Sequence, residues 1–222
     1  MKKLFSLFML SLLLCALMTQ IPAVSAASVS MSADSAAPMP ADYAASVSHT
    51  VVRGDTMWKL AVKYQVGTSE IIKANPQISN PDLIYPGQLL YIPQLDQSVS
   101  SYESEVVRLV NMERAKHGLA PLSHNWELSR VARYKSQDMA DKGYFSHNSP
   151  TFGSPFDMMK AFGISYRTAG ENIAKGQRSP AAVVNAWMNS SGHRANILNS
   201  SYTQIGVGYV ASGNHWTQMF TG

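Results

Sequence analysis

The chain has 222 residues, of which 45% are apolar and 14% charged, with a formal net charge of +4. That length admits one large or two small domains, and that apolar share can fill a core, which excludes disorder throughout. There is no run of Lys and Arg and no basic stripe interleaved with aromatics, so nothing argues for nucleic acid as a partner, and the mild positive balance suits an anionic surface such as a cell wall.

At the start of the chain, Lys2 and Lys3 precede an apolar run over residues 4–18, Ile21-Pro22 breaks it, and Val24-Ser25-Ala26 supplies small residues for cleavage. This is the layout of a secretory signal peptide over residues 1–26, cut after Ala26. The apolar run is short for a membrane span, so no stable span is expected after cleavage. The one cysteine, Cys15, lies inside that run, and Leu14 precedes it where a lipoprotein signal needs a small residue. An exported chain without disulfides rests on its core alone. Residues 27–48 are rich in Ala, Ser and Pro with no apolar period and are expected as a flexible linker.

Residues 49–93 read as strand, helix, helix, strand. Thr50 to Val52 is β-prone, and Gly54-Asp55-Thr56 makes a turn that caps a helix. Trp58, Leu60, Ala61 and Tyr64 follow at helical spacing. Val66-Gly67-Thr68 ends that helix and opens another, with Ile71, Ile72 and Ala74 inward and Asn75-Pro76 closing it. A turn-rich stretch through Ile84-Tyr85-Pro86-Gly87-Gln88 leads to a second strand at Leu89 to Ile92. On these motifs, with Tyr91-Ile92-Pro93, the unit resembles a LysM domain over its whole length. The resemblance implies a βααβ fold that binds glycans containing N-acetylglucosamine, either peptidoglycan or a chitin-like polymer. It places the sugar between Gly54, Asp55, Thr56, Met57 on one side and Asp82, Leu83, Ile84 on the other. By residue chemistry alone, Asp55 and Thr56 equally read as helix caps, and Leu83 and Ile84 as core.

After a short polar linker at 94–101, residues 102–222 read as a second, α+β domain. Glu103 to His117 is amphipathic, with Val106, Val107, Leu109, Val110 and Met112 on one side. Asn125 caps the next helix, whose inner stripe is Leu128, Val131, Ala132, Met139 and Ala140, and Gly143 ends it. Phe156, Met158, Met159 and Phe162 mark a short helix, and Ser179-Pro180 opens another with Val183, Val184, Ala186 and Trp187 inward. Residues 205–210 and 215–220 are β-like around a Ser212-Gly213-Asn214 turn.

Three polar residues stand out: His147 in Phe145-Ser146-His147, Glu171 in Gly170-Glu171-Asn172-Ile173-Ala174, and His193 in Ser191-Gly192-His193-Arg194-Ala195-Asn196. Their Gly, Ser, Asn and Pro neighbours place them on loops or element ends. With Asn111-Met112-Glu113-Arg114, Trp187, Ile205-Gly206-Val207-Gly208 and Trp216-Thr217-Gln218-Met219-Phe220, these motifs make the domain resemble the CAP superfamily in its cysteine-free bacterial form. The resemblance implies an α–β–α sandwich whose groove carries two histidines, able to hold zinc, and two glutamates. His147, His193 and Glu171 match; where the second glutamate falls, a few residues after Trp187, this chain has Asn189-Ser190. A mechanism using two carboxylates is therefore not available from the matched positions.

Three roles for the trio stay open. His147 and His193 could bind zinc or another divalent metal, with Glu171 and water completing the shell. The trio could instead line a polar groove for an unidentified ligand without turnover. Or Glu171 could simply fix the histidines. His117 and His124 are expected at exposed positions. His215 is expected as a surface or cross-strand residue, with a rival-ligand role left open. Asn111 and Arg114 are expected to brace loops, and no nucleophile elbow supports a serine hydrolase. The combined expectation is a secreted protein of the cell wall or spore surface, held by LysM and presenting the CAP groove. Its alternatives are a metal-dependent hydrolase of a wall or peptide substrate and a structural protein of a spore or surface coat.

Overall fold

The computed structural model describes Tyr43 and residues 45–222. The expected signal peptide and the linker up to residue 42 lie outside the described residues. Among the described residues, no helix is long and apolar enough to cross a membrane.

The first unit is the expected βααβ. Strand β1 (Ala45–Thr50) pairs antiparallel with β2 (Leu89–Gln94), from Ala45↔Gln94 to Thr50↔Leu89. Helices α1 (Met57–Tyr64) and α2 (Thr68–Ala74) lie between them in sequence. The strand begins at Ala45, inside the stretch expected as linker. Main-chain pairing with β2 carries residues that have no apolar period of their own. Thr56 caps α1 by accepting from the Lys59 amide at 3.2 Å, and Gln65 ends it in the left-handed region at φ 53°. Val51, Leu60, Ala61, Val66, Ile71, Leu90 and Ile92 form the core. Asn75 ties α2 to β2, donating to the carbonyls of Ile71 and Tyr91 and accepting from the Tyr91 amide at 2.7 Å. Trp58, expected inward, is 59% exposed, and Ile72 also faces out. The buried stripe runs through Met57, Leu60 and Ala61, and Trp58 sits one residue off it.

The stretch 94–101 is not a linker. Strand β2 ends at Gln94, and Asp96 caps helix α3 (Gln97–Lys116) by accepting from the Ser98 amide at 2.8 Å. Val99 and Tyr102 pack into the C-terminal core, so apolar anchors extend the helix two turns earlier than its polar composition predicts. After β3 (Ser123–His124), Asn125 caps α4 (Trp126–Lys142), accepting from the Leu128 amide at 3.0 Å. Gly143 closes that helix at φ 65°. Next come α5 (Pro155–Ala161), started by a Ser154–Asp157 capping box, then β4 (Ala169–Lys175), α6 (Pro180–Met188), α7 (Ser191–Ile197), β5 (Gln204–Val210) and β6 (His215–Thr221).

The sheet order is β3-β5-β6-β4, antiparallel except that β3 runs parallel to β5. Period-two alternation sends Ile205, Val207, Tyr209, Trp216 and Phe220 to one face. There they meet Val106, Val110, Val183 and Trp187 from α3 and α6. Met219 points the other way, into Leu128, Val131, Ala132, Met158 and Met159 of α4 and α5. This is the expected α–β–α sandwich. Gly206 and Gly208 let α4 lie against the sheet: a Cβ at either would overlap the backbone at Leu128–Ser129 or Ala132–Arg133. Of the two places expected for His215, the structure takes the cross-strand one, opposite Val210 and Lys175; it is buried there, and its Nδ1 donates to the Ser212 carbonyl at 2.8 Å. Asn111 and Arg114 brace loops as expected. Asn111 pairs with both backbone groups of Leu122, and Arg114 donates to the carbonyls of Ala120, Ile197 and Asn199.

One buried ion pair joins the two domains, and a second beside it ties α3 to α4 within the C-terminal domain. Glu70 of α2 meets Arg130 of α4 at 2.6 Å, with both side chains nearly inaccessible. Arg130 also donates to Ser69 at 2.7 Å, and its guanidinium lies 5.0 Å from the centre of the Phe162 ring. One helical turn on, Arg133 clamps Glu103 of α3, while its other arm reaches the Tyr43 hydroxyl at 3.4 Å.

Candidate functional site

In the first domain, backbone bonds tie the residue leading into the first candidate turn to the residues that follow the second. Val51 donates to the Gln88 carbonyl at 2.8 Å and accepts from the Gly87 amide at 2.9 Å. Gly54 takes φ +95°, a value that favours glycine. Asp55 is occupied within its own turn: Oδ2 accepts from the Val52 amide at 2.9 Å and from His49 Nε2 at 2.8 Å. Those two bonds, the amide first, hold its carboxyl below the usual range. Met57 lies in the core, leaving only its backbone for a ligand, and Ile84 packs on the same core. Leu83 is 51% exposed and Asp82 is exposed beside it. The exposed parts of this surface are therefore Gly54, Thr56, Asp82 and Leu83.

In the second domain, His147 lies on a loop, while Glu171 and His193 lie near the starts of their elements, as the expectation of loops or element ends allowed. Glu171 is the third residue of β4, opposite Met219, and His193 lies inside α7. The Gly and Asn around Glu171 serve close packing. A Cβ at Gly170 would collide with the Tyr202 hydroxyl. The Asn172 amide, in turn, donates to the His193 carbonyl at 3.1 Å and to Gln218 Oε1 at 3.0 Å. Asn196 completes the tie from α7 to β4, donating to Asn172 Oδ1 and to the Glu171 carbonyl. These bonds set where His193 stands.

His147 Nδ1 donates to Glu171 Oε1 at 2.7 Å. The imidazole is exposed, whereas the carboxylate is buried. The other carboxylate oxygen, Oε2, is buried with no hydrogen-bond partner among the described residues. Burial first, and then the charge on nearby His147, pushes His193 below the usual histidine range. Among the described residues, no group of three or more His, Cys, Asp or Glu side chains is arranged to hold a metal ion.

The loop carrying His147 is held by two residues of α4 that the sequence reading did not single out. Lys135 is fully buried and donates from Nζ to the carbonyls of Ser146 and His147, both at 2.8 Å. Burial pushes its ammonium down, and Glu171 and Asp138 pull it back up in part. Asp138 accepts from Tyr144 and Ser149, both at 2.6 Å, and from Thr151. A signal for Lys135 was available, because it continues the inward stripe of Leu128, Val131 and Ala132 at helical spacing. A polar residue on a buried stripe needs a partner.

Residues 107–221 match the model of the Cysteine-rich secretory protein family, CAP, and residues 49–93 match the LysM domain. The chain is 68% identical over 125 residues to the uncharacterized protein YkwD of Bacillus subtilis (strain 168), covering 56% of this chain and 49% of that one. It is similar to the crystal structure of an extracellular protein containing a SCP domain from Bacillus anthracis str. Ames. That match has a TM-score of 0.54 at 35% identity and covers 61% of this chain and 47% of the other. The chain is also 51% identical over 45 residues to the spore coat assembly protein ExsA of Bacillus cereus, covering 20% of this chain and 7% of that protein. The chain thus spans about half the length, or less, of these relatives.

Proposed function

The chain belongs to the cysteine-rich secretory protein family and carries a LysM domain ahead of that fold, and on that premise we propose that it is a secreted cell-wall or spore-surface protein. LysM holds it to N-acetylglucosamine glycan, and the CAP groove presents His147, His193 and Glu171 to a ligand. The supporting observation is that Leu83 is apolar and exposed on the surface the family resemblance assigns to the sugar, while Asp55 is engaged by the Val52 amide and His49 within the domain. A sugar ring needs such an apolar face flanked by free backbone and hydroxyl groups. One domain of this kind binds weakly, so wall retention rises with avidity. In pull-down on purified peptidoglycan, Leu83→Ala should weaken retention by about fivefold, the loss of roughly 1 kcal/mol of apolar contact. Unchanged retention would remove the anchor assignment. Deleting the whole LysM domain is a poorer test, because it strands the buried charge of Arg130.

At the CAP groove the donor set fits two imidazoles, with Glu171 standing behind His147 rather than beside it. Glu171 takes Nδ1, which leaves Nε2 of His147 free for a ligand and fixes the ring, as a carboxylate bonded to the far nitrogen of a ligand histidine does in metal sites. His147 and His193 would then hold a divalent ion such as zinc, which supplies Lewis acidity when bound. The chain's own part is to orient His147 through Glu171 and Lys135, and His193 through Asn172 and Asn196. Elemental analysis of protein purified without chelator should find zinc that is lost in His147→Ala. Wild-type protein without metal would turn the reading to a polar ligand groove.

A further inference from the structure

We propose that a cavity lying where the LysM and CAP domains meet is a second saccharide site, shaped for one pyranose ring. The cavity has a volume of about 290 Å³ and is lined by Trp58 and Thr68 from one domain and Trp126, Glu127, Lys160 and Phe162 from the other. None of residues 54–57 or 82–84 lines it, nor does His147, Glu171 or His193, so it is separate from both surfaces described above. It rests on the wall-glycan reading for the class of polymer it would meet.

The chemistry is that of a sugar site. Two indoles offer flat apolar faces with a polar edge, and a pyranose ring presents matching C–H faces. Lys160 and Glu127 have opposite charge and supply a donor and an acceptor for ring hydroxyls or an N-acetyl group. One wall is already built: Arg130 is fixed by Glu70 and Ser69, so binding does not have to order it. Trp58 is 59% exposed on a short helix whose core contacts come from Met57, Leu60 and Ala61, which leaves its indole without a structural task.

The other two tryptophans serve as internal controls. The indole N–H of Trp187 donates to the Ile173 carbonyl and that of Trp216 to the Gln177 carbonyl. Titrating the full chain with the N-acetylglucosamine tetramer and following indole N–H resonances should shift Trp58 and Trp126 and leave Trp187 and Trp216 in place. Both shifts should persist in Leu83→Ala. Trp126→Ala should weaken the Trp58 response by about tenfold, the scale of one lost aromatic contact. Lys160→Glu, at an exposed position that does not threaten folding, should weaken it in the same direction. Shifts that vanish in Leu83→Ala and survive in Trp126→Ala and Lys160→Glu would place all binding in the turn groove and overturn the cavity site alone. Absence of any shift, together with undiminished peptidoglycan retention in Leu83→Ala, would overturn both. A proline-rich peptide that shifts both indoles when the tetramer does not would overturn the saccharide class.

Discussion

Asp138 collects hydrogen bonds from Tyr144, Ser149 and Thr151 and an ion pair with Lys142 at 3.2 Å. Every loop donor lies between residues 144 and 151, so this one carboxylate gathers the segment that carries His147. Burial would raise its pKa, but the bonds from Ser149, Thr151, Tyr144 and Lys142 outweigh that and hold it below the usual range. With a folded pKa under the unfolded value of about 3.9, the stabilisation is complete above that value and is lost as pH falls through the folded pKa. Asp138→Asn should cost about 2 kcal/mol at neutral pH in urea denaturation, the scale of charge-assisted bonds. The gap to wild type should close as the solution is acidified below about pH 4. A gap independent of pH would mean that the carboxylate's charge does not hold this loop.

At the scale of elements, most helices and strands could be read directly, because their signals are local. Asn125, Ser154 and Ser179 sit where side chains cap helices, and Gly143 ends α4 in the left-handed region, so caps and stops coincide with the residue types that favour them. The missed features depend on partners distant in sequence. Ala45 to Ser48 has no strand pattern and is a strand only because β2 pairs with it. Glu171 sits among residues that favour turns, yet β6 recruits it into the sheet, and Gly170 is there for the Tyr202 hydroxyl. The trio itself was legible as residue types, but its roles were not. Strand pairing and the Lys135 and Asn172 bonds decide that Glu171 meets His147 through Nδ1 and that His193 enters from a separate helix.

At the scale of the whole molecule, Glu70 is an acidic residue in the first turn of a small helix, where a carboxylate is ordinarily solvated. It is instead fully buried against Arg130, 60 positions away in the chain. Gly67 clears the approach, since a Cβ there would occupy the space of both side chains. A pair of this kind contributes little net stability over an apolar replacement, because both charges lose water, but removing one partner leaves the other buried and uncompensated. Glu70→Gln should therefore destabilise the protein by about 3 kcal/mol, and Arg130→Met by a similar amount. The double variant Glu70→Met with Arg130→Met should recover most of that loss. In denaturant, wild type should unfold in one transition reported alike by both domains, and Glu70→Gln should split it into two. If Glu70→Gln matches wild type in midpoint and cooperativity, the junction is not what makes LysM and the CAP sandwich one unit. Any site that depends on their fixed meeting, the tryptophan-lined cavity included, would then lose its frame.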